Sequence, residues 1–411
     1  MSNLSLAIKG LTLEILHRRA RRQTVPARTL IIPASTFGSL GDLAMVEGLH
    51  VLLRERGLTP VALASYGPSD NWQTSFEFRD DMVVPDGLLG WKAWTERLSN
   101  FDRVFLNGAD VLDGKYSVDF SIKRLSMIKY AARSNIPCTI TGFSFNARVP
   151  DAVVQAFNEI PSSVRFCLRD PGSLKRFNER TNHQGVQVAD LAFLLQPKDV
   201  SNDPGVQKIQ KAAENGRLCV GLTPNLHCVS ADVPPEQKRK ICLEFFTRSA
   251  EELSKKHGSL IVLLPHDTRG PHADNLLCDE LSARLSPLGI EHINMPSPPD
   301  PAYVKGLLRH CHLAITGRMH CGIAALGTGT PVILIDYQDK VKGLENFFNM
   351  DLSVKLDADI DAALERTASM ASELLADPAT QREKVLQGTA RAVALSQQNL
   401  PSASQPEARA S

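Results

Sequence analysis

Short apolar runs alternate with amphipathic stretches along most of this 411-residue chain. Such runs are typical of buried parallel strands, and the stretches between them carry apolar residues at helical spacing. Nearly every run ends in a polar or Gly-containing loop, so the pattern predicts repeated strand–helix units. The predicted strands are residues 28–33, 60–64, 101–106, 137–141, 163–168, 186–188, 218–222, 259–264, 290–294, 313–316 and 332–335.

The repeated units fall into two groups, separated by a polar, Pro-containing stretch that begins at Gln196. This predicts an α/β protein with two Rossmann-like, doubly wound domains facing a cleft, where ligands commonly bind. The predicted boundaries are a basic leader over 1–27, an N-terminal domain over 28–195, a linker over 196–215, a C-terminal domain with terminal helices over 216–395, and a disordered tail over 396–411.

The leader has apolar residues at near-helical spacing over 4–16, followed by the basic segment His17–Arg22. One interpretation is a solvated leader that packs on the domain or is disordered. The other is a basic amphipathic helix that lies on an anionic membrane surface and gives the protein a peripheral membrane contact.

Composition and charge argue against several classes of protein. Hydrophobic residues make up 43% and charged residues 22% of the chain, as in ordinary globular proteins. A net charge of +1 argues against nucleic-acid binding through a basic surface. No apolar run is long enough to span a membrane. The eight cysteines lack CxxC or zinc spacing, which predicts free buried thiols, no metal site and a cytoplasmic protein.

The strongest chemical signal is the segment 313–340. A strand, a Gly-containing turn and a helix start place Arg318 and His320 where ligands bind in parallel sheets, and Lys340 follows the next strand. Arg can grip a phosphate or carboxylate through two nitrogens, and His can transfer a proton near neutral pH. The segment predicts a pocket for a small anion. The alternative is a structural Arg–Asp pair with a packed His.

Two other strand ends carry candidate residues. Arg169 follows the strand 163–168, and Asp170 or Ser173 is suited to capping the next helix. In the first loop, Gly38 and Gly41 would let the backbone approach a ligand closely.

Two residues in these loops keep alternative interpretations. Asp42 is either the N-cap of the next helix or a base for a sugar hydroxyl. His266, at another strand end, either lines the cleft or is a satisfied loop residue.

The chain resembles the polysaccharide pyruvyl transferases over about residues 30–350. The motifs that carry the resemblance are Gly38-Ser-Leu-Gly-Asp42, Arg169-Asp170 with Ser173, Asp190–Phe193, Leu263–His266, Thr316–His320, Gly329–Val332 and Tyr337–Lys340. The C-terminal motifs are the specific ones. The resemblance implies a GT-B-like fold whose C-terminal domain is the donor side and whose N-terminal domain is the acceptor side.

The resemblance also implies an activity. Such a protein would use phosphoenolpyruvate to form a pyruvate ketal on a sugar of an exopolysaccharide, a cell-wall glycan or a lipid-linked glycan, releasing phosphate and needing no cofactor. Arg169, Arg318 and Lys340 would bind the donor, His320 would act as general acid and Asp42 as base. Gly38, Gly41, Ser173 and His266 would line the cleft. The expected location is the cytoplasm, with the inner membrane face as the place of action for a lipid-linked acceptor.

Two alternatives stay open at this point. One is a nucleotide-sugar-dependent glycosyltransferase with the same GT-B fold, although the Arg169 and Lys340 pair suits a compact dianion better than a diphosphate sugar. The other is a non-catalytic relative that binds an anionic glycan.

Overall fold

The computed structural model describes residues 28–58, 61–67, 74, 82–230, 232–270, 273–336 and 341–401. The chain divides into two compact units. Unit 1 contains the described residues within 1–37, 45–194 and 394–411, and unit 2 contains those within 38–44 and 195–393. The segment 38–44 therefore belongs to unit 2, although most of the surrounding sequence lies in unit 1.

Unit 1 is built on a six-stranded parallel sheet in the order β2-β1-β3-β4-β5-β6. Its strands are apolar and buried. In the first strand, Leu30, Ile31 and Ile32 are all fully buried, as expected for a sheet covered on both faces. The strands are β1 (Thr29–Ile32), β2 (Val61–Leu63), β3 (Arg103–Asn107), β4 (Cys138–Phe143), β5 (Arg165–Leu168) and β6 (Val186–Gln187).

Five helices accompany this sheet, and their ends follow from local capping. The Ser117 side chain accepts a hydrogen bond from Phe120 N at the start of α3, and Asp170 accepts one from Ser173 N at the start of α5. The helices are α1 (Leu40–Glu55), α2 (Gly87–Leu98), α3 (Val118–Arg133), α4 (Asp151–Asn158) and α5 (Pro171–Arg180). Helix α2 was not predicted from the sequence.

Unit 2 has its own six-stranded parallel sheet, in the order β12-β11-β10-β7-β8-β9. The chain moves outward from β7 through β8 to β9, then returns to the other side of β7 with β10, so the order reverses between β7 and β10. Ligands bind at this kind of switch point, beside the carboxyl ends of the strands. The strands are β7 (Cys219–Thr223), β8 (Leu260–Leu263), β9 (His292–Asn294), β10 (Leu313–Thr316), β11 (Val332–Asp336) and β12 (Ser353–Lys355).

The helices of unit 2 bury their apolar faces against this sheet. In the long helix α7, for example, Phe245, Phe246 and Leu253 belong to the core cluster that includes Val220 and Ile261 of the sheet. The helices are α6 (Pro204–Glu214), α7 (Pro235–His257), α8 (Asp274–Leu285), α9 (Pro301–Leu308), α10 (Met319–Leu326), α11 (Lys342–Phe348), α12 (Asp361–Ala376) and α13 (Pro378–Ser396).

Two predicted irregular segments contain regular structure. The range 196–215, predicted as a linker, includes α6, because Asp203 caps a helix that begins with Pro204 and buries Val206 and Ile209. The tail predicted to be disordered from Ser396 instead continues as a 3₁₀ helix over Gln397–Asn399. The fully buried Asn399 donates to the carbonyl of Ala189, so the segment is held by unit 1.

The eight cysteines are all free and buried, which confirms the prediction of buried thiols. No helix among the described residues has the length and apolar character needed to cross a membrane. The predicted leader, residues 1–27, lies outside the described residues.

Candidate functional site

The turn between β10 and α10 lies at the switch point of unit 2. Arg318 N donates to Oγ1 of the fully buried Thr316, 2.9 Å away, which shapes the turn before the helix begins. Gly317 packs against the 3₁₀ turn that follows β7: a Cβ atom there would lie 2.7 Å from Cβ of Cys228. Asn225, just after β7, donates its side-chain amide to the carbonyl of Gly317. These contacts present Arg318 at the carboxyl edge of the sheet.

Two aspartates hold the Arg318 guanidinium. Nη2 and Nε donate to Oδ1 of Asp274 at 2.8 and 3.2 Å, and Nε also lies 3.1 Å from Oδ2. On its other edge, Nη1 lies 3.2 Å from Oδ2 of Asp267. The structural Arg–Asp pair, left open by the sequence, is therefore present. The anion-binding role of Arg318 stays a prediction.

Asp274 is the buried centre of this arrangement. It begins α8, its side chain is fully buried, and Oδ2 accepts the backbone N–H groups of His266 and Asp267 at 3.2 and 2.9 Å. Burial raises the pKa of its carboxyl above the usual value, although the charge and hydrogen bonds of Arg318 act in the opposite direction. Asp274 thus ties the loop after β8 to the turn after β10.

The charge network continues from Asp267 to Arg269 and Asp42. Arg269 donates from its backbone N and from Nε to Oδ1 of Asp267, both at 3.0 Å, and from Nη2 to Oδ2 at 2.8 Å. Although burial acts to raise the pKa of Asp267, the bonds from Arg269 and the charge of Arg318 lower it. The guanidinium of Arg269 also lies 3.8 Å from Oδ2 of Asp42.

The first Gly loop packs on this network. Ser39 forms a β-bridge with Asp267, Leu40 N donates to the carbonyl of His266, and Thr268 N donates to the carbonyl of Gly38. The loop therefore brings Asp42 beside the charge network.

Contacts at the start of α1 bear on Asp42 and His320. The helix begins at Leu40 and Ser39 Oγ accepts from Asp42 N, so Asp42 lies in the first turn and is not the N-cap. Gly41 contacts the ring of His320, since a Cβ atom at position 41 would lie 2.6 Å from Cγ of that ring. Gly38, Gly41, Asp42, His266, Arg318 and His320 all lie in unit 2.

His266 is buried in the same network. Burial lowers its pKa to about 3, and the nearby positive charges of His320 and Arg318 add to this effect. The ring is therefore neutral at physiological pH, which fits a packed residue better than a proton donor.

This gives a prediction for stability. Because the pKa of His266 is depressed from 6.5 in the folded state, the unfolded chain binds a proton that the folded chain does not as pH falls below 6.5. His266 should lower the free energy of unfolding by up to about 1.4 kcal/mol for each pH unit below 6.5. Urea unfolding of wild type and His266→Gln at pH 7.5, 6.5, 5.5 and 4.5 measures it. The free energy of unfolding of the wild type should fall relative to that of the variant as the pH is lowered. A gap independent of pH would contradict the neutral, buried ring.

Arg169 and Ser173 lie in unit 1. Arg169 donates from Nη1 to Oδ2 of Asp190 at 2.9 Å and from Nε to Ser144 Oγ at 2.8 Å, and only 3% of its side chain is exposed. Burial lowers the pKa of Arg169, but the negative charges of Asp190, Asp110 and Asp170 and the hydrogen bond to Asp190 together outweigh that effect and raise it. Ser173 Oγ accepts from Phe145 N. The predicted cap Asp170 is confirmed. The donor-binding role of Arg169 stays a prediction.

Lys340, the remaining candidate, lies outside the described residues. Among the residues that the structure describes, no group of three or more His, Cys, Asp or Glu side chains is arranged to hold a metal ion.

Asp267, Arg269 and Asp274 were not predicted from the sequence as site residues. A signal existed for the first two, because they follow β8, which neighbours β7 at the switch point. Asp274 offered none, since an acidic residue in the first turn of a helix is common for dipole reasons alone.

Solved structures share this fold. A UDP-GlcNAc 2-epimerase from Neisseria meningitidis bound to UDP-GlcNAc has 11% identity and a TM-score of 0.54, covering 90% of this chain and 99% of its own. A glycosyltransferase from Rickettsia africae has 11% identity and a TM-score of 0.52, covering 92% and 99%. With two parallel six-stranded sheets, these likenesses confirm the predicted GT-B-like class of two Rossmann-like α/β units.

Sequence comparison identifies the family. The model of the family described as polysaccharide pyruvyl transferase matches residues 40–339, most of the chain. The protein belongs to this family, and its members are transferases. None of the curated proteins matches the chain significantly in sequence.

Proposed function

We propose that the protein uses phosphoenolpyruvate to form a cyclic pyruvate ketal on a sugar of a glycan, releasing phosphate. The observation that carries the proposal is that the family match, residues 40–339, includes an Arg318 and a His320 placed at the switch point of unit 2. A guanidinium, an imidazole and the N-terminus of α10 are suited to a small donor that bears a phosphate and a carboxylate.

The first step that this site would catalyse is proton transfer. A proton from His320 adds to the methylene carbon C3, which leaves C2 electrophilic. Contact with Gly41 orients the imidazole, and the neutral His266 next to it adds no competing positive charge.

A sugar hydroxyl then attacks C2 and loses its proton to a base. Asp42 is the proposed base, since it lies in the first turn of α1 next to Gly41, which contacts the ring of His320. The bond between C2 and the phosphate oxygen breaks, and Arg318 with the N-terminus of α10 stabilises the departing phosphate.

A second hydroxyl of the same sugar attacks C2 and closes the ketal. Of the two hydroxyl protons released, one replaces the proton that His320 gave to C3 and the other leaves on the phosphate, so the reaction is balanced without a cofactor. Arg169 and Lys340 remain proposed donor ligands. A glycan acceptor fits the family, and a lipid-linked one would place the protein at the inner face of the membrane.

The second candidate is a nucleotide-sugar-dependent glycosyltransferase, which the shared fold favours. One of the similar structures is an epimerase bound to UDP-GlcNAc. The family match and the compact Arg318–His320 site favour phosphoenolpyruvate over a diphosphate sugar.

Ligand-dependent melting separates the two candidates. Phosphoenolpyruvate should raise the melting temperature of the protein, because a ligand at 100 times its Kd stabilises the folded state by about 2.7 kcal/mol. UDP-glucose and UDP-GlcNAc should leave the melting temperature unchanged. Stabilisation by a UDP-sugar without any effect of phosphoenolpyruvate would replace the proposed function with the glycosyltransferase.

Mass spectrometry tests the reaction itself. Candidate glycans incubated with the protein and phosphoenolpyruvate should gain the mass of one pyruvate less one water, together with equimolar phosphate. A heat-inactivated sample is the control. Binding of phosphoenolpyruvate without a ketal product on a broad glycan panel would favour the non-catalytic relative.

A further inference from the structure

The two aspartates at Arg318 hold it in different ways. Asp274 receives Nε and Nη2 of the guanidinium and is fully buried. Asp267 is met by Nη1 at 3.2 Å and is 8% exposed. Of the two carboxylates, that of Asp267 is therefore the one closer to solvent.

The two aspartates also differ in what they would keep if the contact with Arg318 were lost. Asp267 would keep three hydrogen bonds from Arg269, from its backbone N, Nε and Nη2. Asp274 would keep the hydrogen bonds from the backbone N–H groups of His266 and Asp267. It would lose the positive charge of Arg318 while its own carboxylate stays buried. Separating Asp267 from Arg318 is therefore much less costly than separating Asp274 from it.

An anionic donor would meet carboxylates as well as guanidiniums at this site. Phosphoenolpyruvate carries a phosphate of about two negative charges and a carboxylate. The guanidiniums of Arg318 and Arg269 already contact the carboxylates of Asp42, Asp267 and Asp274. An oxyanion that binds Nη1 of Arg318 must therefore compete with the carboxylate of Asp267 for this nitrogen.

We propose that Asp267 is a displaceable counter-ion of Arg318 that sets the affinity for the anionic donor, while Asp274 is the fixed anchor that positions the guanidinium. When a phosphate oxygen takes Nη1, Asp267 remains paired with Arg269. The inference rests on the proposed function, since it names phosphoenolpyruvate as the ligand. Asp267, Asp274 and Arg269 act through Arg318 and are positioning residues.

Two substitutions that remove the same charge test this assignment. Asp267→Asn should bind phosphoenolpyruvate about three- to tenfold more tightly, because the competing carboxylate is gone. Asp274→Asn should bind it at least about tenfold more weakly, because the guanidinium loses its anchor. Titration calorimetry with phosphoenolpyruvate and with inorganic phosphate measures both. In turnover, Asp267→Asn should lower KM and leave kcat within about twofold.

Any other combination of affinity changes in these two variants overturns the proposal. Tighter binding by both variants would mean that any carboxylate near Arg318 repels the donor. Weaker binding by both would make Asp267 a second anchor, and an unchanged Kd for Asp267→Asn would remove it from donor binding. If the wild type binds neither phosphoenolpyruvate nor phosphate, the proposed function fails first, and that result differs from all the others.

A third variant keeps the test independent of Asp274, whose replacement can impair folding. Arg269→Gln should weaken binding about three- to tenfold, because Asp267 then stays on Arg318. The double variant Asp267→Asn with Arg269→Gln should recover wild-type affinity or better. If Arg269 instead bound the donor directly, the double variant would stay weak, and the displacement model would be wrong.

Discussion

Replacing His320 with glutamine should lower kcat for phosphate release from phosphoenolpyruvate by about 10²- to 10⁴-fold, the usual contribution of a general acid. Glutamine can still donate a hydrogen bond in the space beside Gly41 but cannot transfer a proton to C3. The Kd for phosphoenolpyruvate should change by less than about threefold, since the donor's charge is bound by other groups. Phosphate release at saturating donor and calorimetry give the two values.

A second histidine provides the control. His310 lies after α9 at 3.4 Å from the side chain of Gln210, and it takes no part in the proposed site. His310→Gln should keep wild-type kcat and Kd. Loss of donor binding in His320→Gln with kcat retained at saturation would make His320 a ligand of the donor and remove it as the general acid.

Replacing Arg318 with leucine should cost about 3–5 kcal/mol in the free energy of unfolding and abolish donor binding. The reason is Asp274, which is fully buried and would lose its described counter-charge. Urea unfolding gives the stability change, and calorimetry with phosphoenolpyruvate gives the binding. Arg284→Leu is the matched control, because Arg284 is a partly exposed residue of α8 paired with Glu280 four residues away, and it should cost at most about 1 kcal/mol.

A double variant separates the two effects of Arg318. Arg318→Leu with Asp274→Leu removes both members of the pair and should recover most of the lost stability, since a buried pair replaced by apolar residues is often neutral. Donor binding should stay absent. Full stability of the single variant Arg318→Leu would show that Asp274 does not depend on this guanidinium.

Much of the fold was predictable because its signals are local. The strand β10 was predicted with the bounds that the structure gives, Leu313–Thr316, since three apolar residues and a β-branched threonine end at a Gly. The missed elements lack such signals. Strand β12 is three residues long with one buried position, and α2 has buried Trp94, Thr95 and Leu98 in a sequence rich in Gly and charge.

The two irregular segments show the same limit. A Pro and a cluster of polar residues near 196–205 predict a linker, yet Asp203 and Pro204 are also a helix start. The Ser and Gln residues after α13 predict disorder, yet Asn399 is buried through hydrogen bonds to the carbonyl of Ala189 and from Gly142 N. Burial of a polar side chain depends on partners far away in the chain, which composition does not contain.

The sequence by itself determined the class of fold, the family, and the presence of an Arg and a His at a strand-to-helix turn, because apolar runs and motifs are properties of neighbouring residues. Only the tertiary structure decided what surrounds that turn. It brought the start of α1, the loop after β8 and the start of α8 together around Arg318 and Arg269, and so replaced a simple positive pocket with a network of two guanidiniums and three carboxylates. Charge balance at a site is set by side chains that converge from distant segments, and this convergence follows from the order of strands in the sheet.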